Sequence, residues 1–367
     1  MRILVAGLVA GLTLCAAPAA AASTTPRLAL PEPIGRHSVG ATAFHLVDEA
    51  RTDPWRPVSG NRELMVTMWY PTAVPHGASV EYVTAAESEA FLDFQRDQGS
   101  PIPEDLPDDV LTGTRTHATA GVPPLPRPGG RPLVLLSPGF TLPRATLTGL
   151  ATGLASRGYL VAAVDHAYES SGTSFPSGLK TCVACEVGEA TAVPPVRAAD
   201  MSLVLDRLTR NRLVDADRVA MVGHSIGGAS AATALAADDR IDAGVNLDGT
   251  FFDPLPAAGL RKPFLMLGTQ RHRPGGDDES WDTAWARLHG AKYWFTVEDT
   301  GHLSFTDTAV LADQMGLTDP AAPLPGTRTT AITRAYVGAF LDRHLRGAGG
   351  SLLDGPSERF PEVHPQP

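Results

Sequence analysis

From Pro132 onward, six short and almost uninterrupted apolar runs recur along the chain: PLVLLSP (132–138), YLVAAVD (159–165), RVAMVG (218–223), DAGVNLD (242–248), PFLMLGT (263–269) and YWFTVED (293–299). A strand with one face in water alternates apolar and polar residues, so continuous runs of this length belong to strands covered on both faces. Segments of helical character separate them, near 144–157, 195–210, 226–237 and 280–289, and another follows at 329–345. This regular alternation predicts an α/β fold, with a mostly parallel central sheet and helices on both faces. The 36 Gly and 32 Pro among 367 residues agree, because they supply many turns and argue against a helical bundle.

The segment before Pro132 reads differently. Residues 37–47 and 62–70 alternate apolar and polar positions, as half-buried strands of an antiparallel hairpin at the sheet edge do. A short helix is expected near 85–97. The Pro-rich passage 100–132 cannot hold regular structure for long and is expected to form a crossing loop or part of a lid. Residues 23–345 are expected to make one domain. The Gly/Pro-rich residues 346–367 are expected to form a loosely ordered tail.

A formal charge of -10, with no Lys/Arg cluster, excludes a nucleic-acid partner. The first residues, MRILVAGLVAGLTLCAAPAAAAS, combine one Arg, an apolar stretch and small residues up to Ala22. That is the form of a secretory signal peptide over residues 1–22, cleaved near Ala22; a retained membrane anchor is the competing reading. In an exported chain the pair Cys182 and Cys185, in KTCVACE, is expected to form a local disulfide.

The run 218–223 ends at Gly223-His224-Ser225-Ile226-Gly227, and the small-residue helix GGASAATALAA follows. Strand, G-x-S-x-G and helix together are the setting of a nucleophile elbow, where a serine takes a strained turn and flanking glycines avoid collisions. Ser225 is therefore the expected nucleophile, with Gly223 and Gly227 as elbow glycines. A serine hydroxyl needs a base, and His302 in VEDTGHLSF lies just past the last apolar run. His224 is expected to pack, and His166 to line the pocket. For the acid, Asp248 at the tip of GVNLDGT is favoured over Asp277 and Asp278, with Asp299 read as a loop carboxylate. Oxyanion donors are expected from the N–H groups of Ile226 and of Phe140 in SPGFTLPR. No His/Asp/Cys grouping offers a good metal-ligand set, and no cofactor is implied.

These residues resemble the α/β-hydrolase superfamily and, within it, the type II platelet-activating-factor acetylhydrolase family. The resemblance runs from RELMVTMWYP through LSPGFTLPRATLTGLATGLASRGYLVAAVDH, GHSIGGAS and VNLDGTFF to GHLSF. An acid directly after VNL matches that family and differs from secreted lipases and polyester hydrolases. Pro138 departs from it, standing where the His-Gly form of the oxyanion loop has histidine; SPGF is nearer the lipase and cutinase-like group.

The resemblance implies hydrolysis of short or oxidised acyl chains on phospholipids, whereas the residues alone imply only an ester or related acyl bond. The expected partner is a small-molecule or lipid ester, and a transient contact with a lipid surface is compatible with it. A lipase or cutinase-like polyester hydrolase is the competing enzyme, and a non-catalytic hydrolase-fold binding protein the competing class. Phe175 and Leu179, in the loop 167–194, could touch lipid or pack. The oligomeric state is not readable from the sequence.

Overall fold

In the computed structural model, residues 27–367 are described. The signal-peptide reading therefore lies outside the described residues. Among these residues no helix is long and apolar enough to cross a membrane.

The strands are β1 (Ser38–Thr52), β2 (Asn61–Thr72), β3 (Ala118–Ala120), β4 (Arg131–Ser137), β5 (Leu160–His166), β6 (Thr173–Phe175), β7 (Gly178–Lys180), β8 (Val214–His224), β9 (Ala243–Leu247), β10 (Phe264–Thr269), β11 (Lys292–Val297) and β12 (Val363–Pro365). The helices are α1 (Ala85–Asp97), α2 (Thr148–Ser156), α3 (Ala184–Val187), α4 (Val193–Leu208), α5 (Ile226–Ala237), α6 (Glu279–Arg287), α7 (Asp307–Gln314) and α8 (Gly326–Arg346). Ten strands form one sheet in the order β12-β11-β10-β9-β8-β4-β5-β2-β1-β3, and β6 with β7 makes a separate hairpin.

The six apolar runs are the six central strands, and every pairing among them is parallel. Their continuous hydrophobicity has the expected cause. Val134 and Leu136 of β4 enter a core shared with α2 and α8, while Leu133 and Leu135 enter the opposite core, under α4, α5 and α6. β1 and β2 form the antiparallel edge, with β2 pairing antiparallel to β5. Helix α1 covers residues 85–97 as expected. It is opened by a capping box in which Thr84 accepts from the Glu87 N–H and Glu87 reaches back to the Thr84 N–H.

The segment 100–131 crosses over α1 and is packed rather than free, with Val110 and Leu111 buried in a small core with Phe91 and Leu92. In the loop after β5, Phe175 is buried and Leu179 exposed. The Cys182–Cys185 disulfide is formed at the end of that loop.

The tail departs from expectation. Residues 346–367 are not a loose extension: Leu353, Phe360 and Val363 are buried in the α2/α8 core, and β12 adds antiparallel to β11. Gly and Pro dominate the segment's average composition, but three spaced apolar residues suffice to dock it. Its backbone then covers the open edge of β11, which would otherwise expose unpaired N–H and C=O groups.

Candidate active site

The carboxyl ends of the parallel strands carry the site. β8 ends at His224, and Ser225 turns the chain into α5 with φ +55° and ψ -130°. A non-glycine residue holds such a conformation only when its surroundings impose it. Here a Cβ on Gly223 would sit 2.0 Å from the Gly227 carbonyl carbon, and one on Gly227 would sit 2.2 Å from the Ser137 carbonyl oxygen. Both glycines are thus required by close backbone approach, and they let the start of α5 lie directly on the end of β4.

Asp248 follows β9, also at positive φ (+58°), and its N–H is held by the Leu267 carbonyl. His302 begins a short 3-10 turn beyond β11. The structure brings the three together in one line: His302 Nε2 lies 2.9 Å from Ser225 Oγ, and His302 Nδ1 lies 2.7 Å from Asp248 Oδ2. Asp248 is buried, whereas half of the His302 side chain is exposed. Burial opposes the Asp248 charge, but hydrogen bonds from His272 and His302 outweigh it and hold the carboxyl well below the usual carboxylate range. The arrangement can move a proton from a hydroxyl to an imidazole whose other nitrogen is fixed by an ionised acid.

Of the rival acids, Asp277 and Asp299 are exposed, and neither is hydrogen-bonded to His302. Asp278 is buried one step further back, where its Oδ2 is 3.1 Å from His272 Nε2. His272, whose Nδ1 lies 2.8 Å from Asp248 Oδ1, is the residue that sequence reasoning missed. Its only sequence signal was its place just after a parallel strand, in a stretch read for carboxylates.

His224 packs as expected. It is fully buried, and its Nε2–H donates to the His302 carbonyl at 2.8 Å. Burial, with His302 nearby, lowers its pKa to about 3, so the ring is a neutral support under the His302 loop.

His166 does not line a pocket. It is buried between Asp200 (2.8 Å) and Ser137 Oγ (3.1 Å), inside a charged cluster that no local sequence pattern announced. In that cluster the Arg62 guanidinium pairs with Asp53, Glu169 and Asp200. Arg197 pairs with Glu169 and donates to Ser137 Oγ and to the Pro138 carbonyl. His166, Glu169 and Asp200 approach one another at metal-like spacing. The two guanidinium groups already occupy the carboxylate oxygens a cation would need, so the residues do not fit a metal.

The cluster holds the loop in which an oxyanion donor is expected. Arg197 fixes the Pro138 carbonyl, and the Thr141 N–H donates to the Glu169 carbonyl at 2.9 Å. Between these anchors the Phe140 N–H has no protein acceptor among the described residues. The Ile226 N–H, first in α5, has no partner within its helix. Beside the site lies an apolar cavity of about 390 Å³, lined among others by Tyr82, Phe91, Leu92, Ile102, Met315 and by Leu303, the residue after His302.

The sequence matches the family described as "Platelet-activating factor acetylhydrolase, isoform II" over residues 24–194 and 178–319. The chain belongs to that family. It is 28% identical to a "Probable 1-alkyl-2-acetylglycerophosphocholine esterase" of Arthroderma benhamiae, over 97% of this chain and 99% of the relative. A "Platelet-activating factor acetylhydrolase" of Cavia porcellus is 25% identical over 62% of each chain. Among solved structures, a ferulic acid esterase from Streptomyces cinnamoneus superposes with a TM-score of 0.84 at 44% identity, covering 93% of this chain and all of that one. This acetylhydrolase-family chain is a carboxylic ester hydrolase of the α/β-hydrolase fold.

Proposed function

We propose that the protein is a secreted serine hydrolase that removes short acyl chains from phospholipids or related esters. The observation that carries this reading is the hydrogen-bonded line Ser225–His302–Asp248 at the ends of β8, β11 and β9. Ser225 Oγ attacks the acyl carbonyl as His302 Nε2 takes its proton. Asp248 holds the imidazole by Nδ1–H and stabilises the imidazolium without itself being protonated. The N–H groups of Phe140 and Ile226 receive the oxyanion, which is where fixed donors contribute most to rate. His302 then protonates the leaving alcohol, and water, activated by the same ring, releases the acyl group.

The phospholipid reading is supported by the names of the A. benhamiae and C. porcellus relatives and by the apolar cavity that reaches Leu303. Transient contact with a lipid surface belongs to this reading, and the exposed apolar residues Leu179 of β7 and Val187 of α3 are its candidate contacts. Export is supported by the form of residues 1–22 and by the formed Cys182–Cys185 bond. A second reading, esters of aromatic acids, is favoured by the 44% identity to the ferulic acid esterase.

The test compares kcat/KM on an sn-2 acetyl phospholipid, acyl esters of increasing length, methyl ferulate and a polyester film. Highest efficiency on acetyl and butyryl groups is the expected result. Preference for ferulate would establish the aromatic reading, and preference for long chains or film the lipase and cutinase-like one. Failure of a fluorophosphonate probe to label Ser225 would overturn the mechanism itself.

A further inference from the structure

His272 stands in a 3-10 turn after β10, buried, with each ring nitrogen facing a carboxylate: Nδ1 is 2.8 Å from Asp248 Oδ1, and Nε2 is 3.1 Å from Asp278 Oδ2. A neutral imidazole has one N–H. One of these carboxylates would then meet a ring lone pair, so the geometry selects the imidazolium, which donates to both.

The ring is held in place. It stacks on Trp281, with centroids 4.3 Å apart and planes 9° from parallel, and its backbone carbonyl accepts from Trp294 Nε1 at 2.8 Å. Asp278 is fixed in turn, accepting from Thr250 Oγ1 and from the Ser280 N–H as N-cap of α6. Among the described residues no other charged side chain is paired with His272; its neighbours Arg271 and Arg273 are exposed.

We propose that His272 is a positioning residue of the reaction: with the Thr269 N–H, which donates to the same atom at 2.6 Å, it fixes the Asp248 oxygen that His302 does not use, and with Asp278 it sets the charge behind that carboxylate. The inference rests on the reading of Ser225, His302 and Asp248 as the reacting groups. Asp248 is then shared by two rings. His302, exposed and next to the nucleophile, gains and loses the proton, while His272 keeps its own. The raised pKa of His272 agrees: burial lowers it, but the bonds to Asp248 and Asp278 bring it to about 9.

The sign of the effect makes the proposal testable. A positive charge behind Asp248 disfavours any further positive charge at the reacting groups, and the Asp278 charge offsets it. His272→Asn keeps a neutral donor but leaves Asp278 uncompensated, so the acid limb of the kcat/KM profile at low ionic strength moves up by about half to one unit. The same variant lowers kcat about tenfold, with KM within about twofold. Asp278→Asn removes the offset and moves the limb down, and the double variant returns it towards wild type.

A merely structural His272 would lower thermal stability and leave the limb in place, and an unmoved limb in folded His272→Asn overturns the proposal. If that variant does not fold, Asp278→Asn decides: a limb that stays put or rises overturns it. Ser225→Ala run alongside separates the two failures: activity retained there overturns the reading of the reacting groups on which the role of His272 rests, whereas an unmoved limb with Ser225→Ala inactive overturns that role alone.

Discussion

Two networks of charge lie within a few residues of each other at the ends of the central strands, and they are built to opposite purposes. Around Arg62 and Arg197, three carboxylates and a histidine are all buried, every charge is met by an opposite one, and the protons have nowhere to go. In the line Ser225–His302–Asp248–His272–Asp278 only the far end is buried, and His302 at the near end is half in solvent. The first network holds the backbone of the loop 138–141 still; in the proposed mechanism the second keeps one proton movable. Desolvation strengthens the pairing in both, but only where a group faces solvent and substrate can it change charge during a reaction.

The largest expected effect breaks the second network. Ser225→Ala and Asp248→Asn each lower kcat by on the order of 10⁴-fold or more, read by steady-state kinetics, whereas exposed Asp277→Asn stays near wild type. Next, Arg62→Leu strands Asp53, Glu169 and Asp200 without their shared partner and costs about 3–5 kcal/mol or more, measured by urea unfolding. Full stability in that variant would mean the cluster does not hold the fold.

A smaller change, Arg197→Leu, frees the Pro138 carbonyl and is expected to cost about 10- to 100-fold in kcat with KM little altered, because a displaced donor weakens transition-state binding. Equal loss in both constants would place its role elsewhere.

The smallest effect is in pH dependence, where the networks have opposite signs. Burial opposes the charge on Asp200, but Arg62 and a hydrogen bond from His166 hold its pKa far below the ordinary value. Its contribution is therefore complete above the unfolded carboxylate pKa and is lost as pH falls through the folded one. His272 is raised to about 9, so its contribution is complete below the unfolded value of 6.5 and is lost as pH rises through about 9. Melting temperature followed from acid to alkaline pH should fall at both ends, and His272→Asn should flatten the alkaline side alone.

How much of this was legible depended on how local the signal was. The six parallel strands were readable because burial on both faces leaves a continuous apolar run, and the elbow because its glycines and serine are adjacent. Asp248 could be favoured but not separated from Asp278 by position alone. Both proved to lie in the same chain of hydrogen bonds, and what distinguishes them is which carboxylate reaches His302. Arg62 gave no signal at all: its partners Glu169 and Asp200 are 107 and 138 residues away in sequence, and an isolated arginine in a strand reads as a surface group. The tail failed for the opposite reason, since averaged composition hid Leu353, Phe360 and Val363, whose burial depends on an edge of β11 that exists only in the folded sheet.

The sequence by itself determined the α/β layering and the strained serine turn, and it pointed to the histidine that the fold sets beside Ser225, because periodicity and turn chemistry act over neighbouring residues. The tertiary structure decided which acid faces His302, that His272 stands behind that acid, and that a cluster of arginines paired with buried carboxylates braces the loop 138–141. Charges attract according to distance in space, and only the closed fold sets those distances.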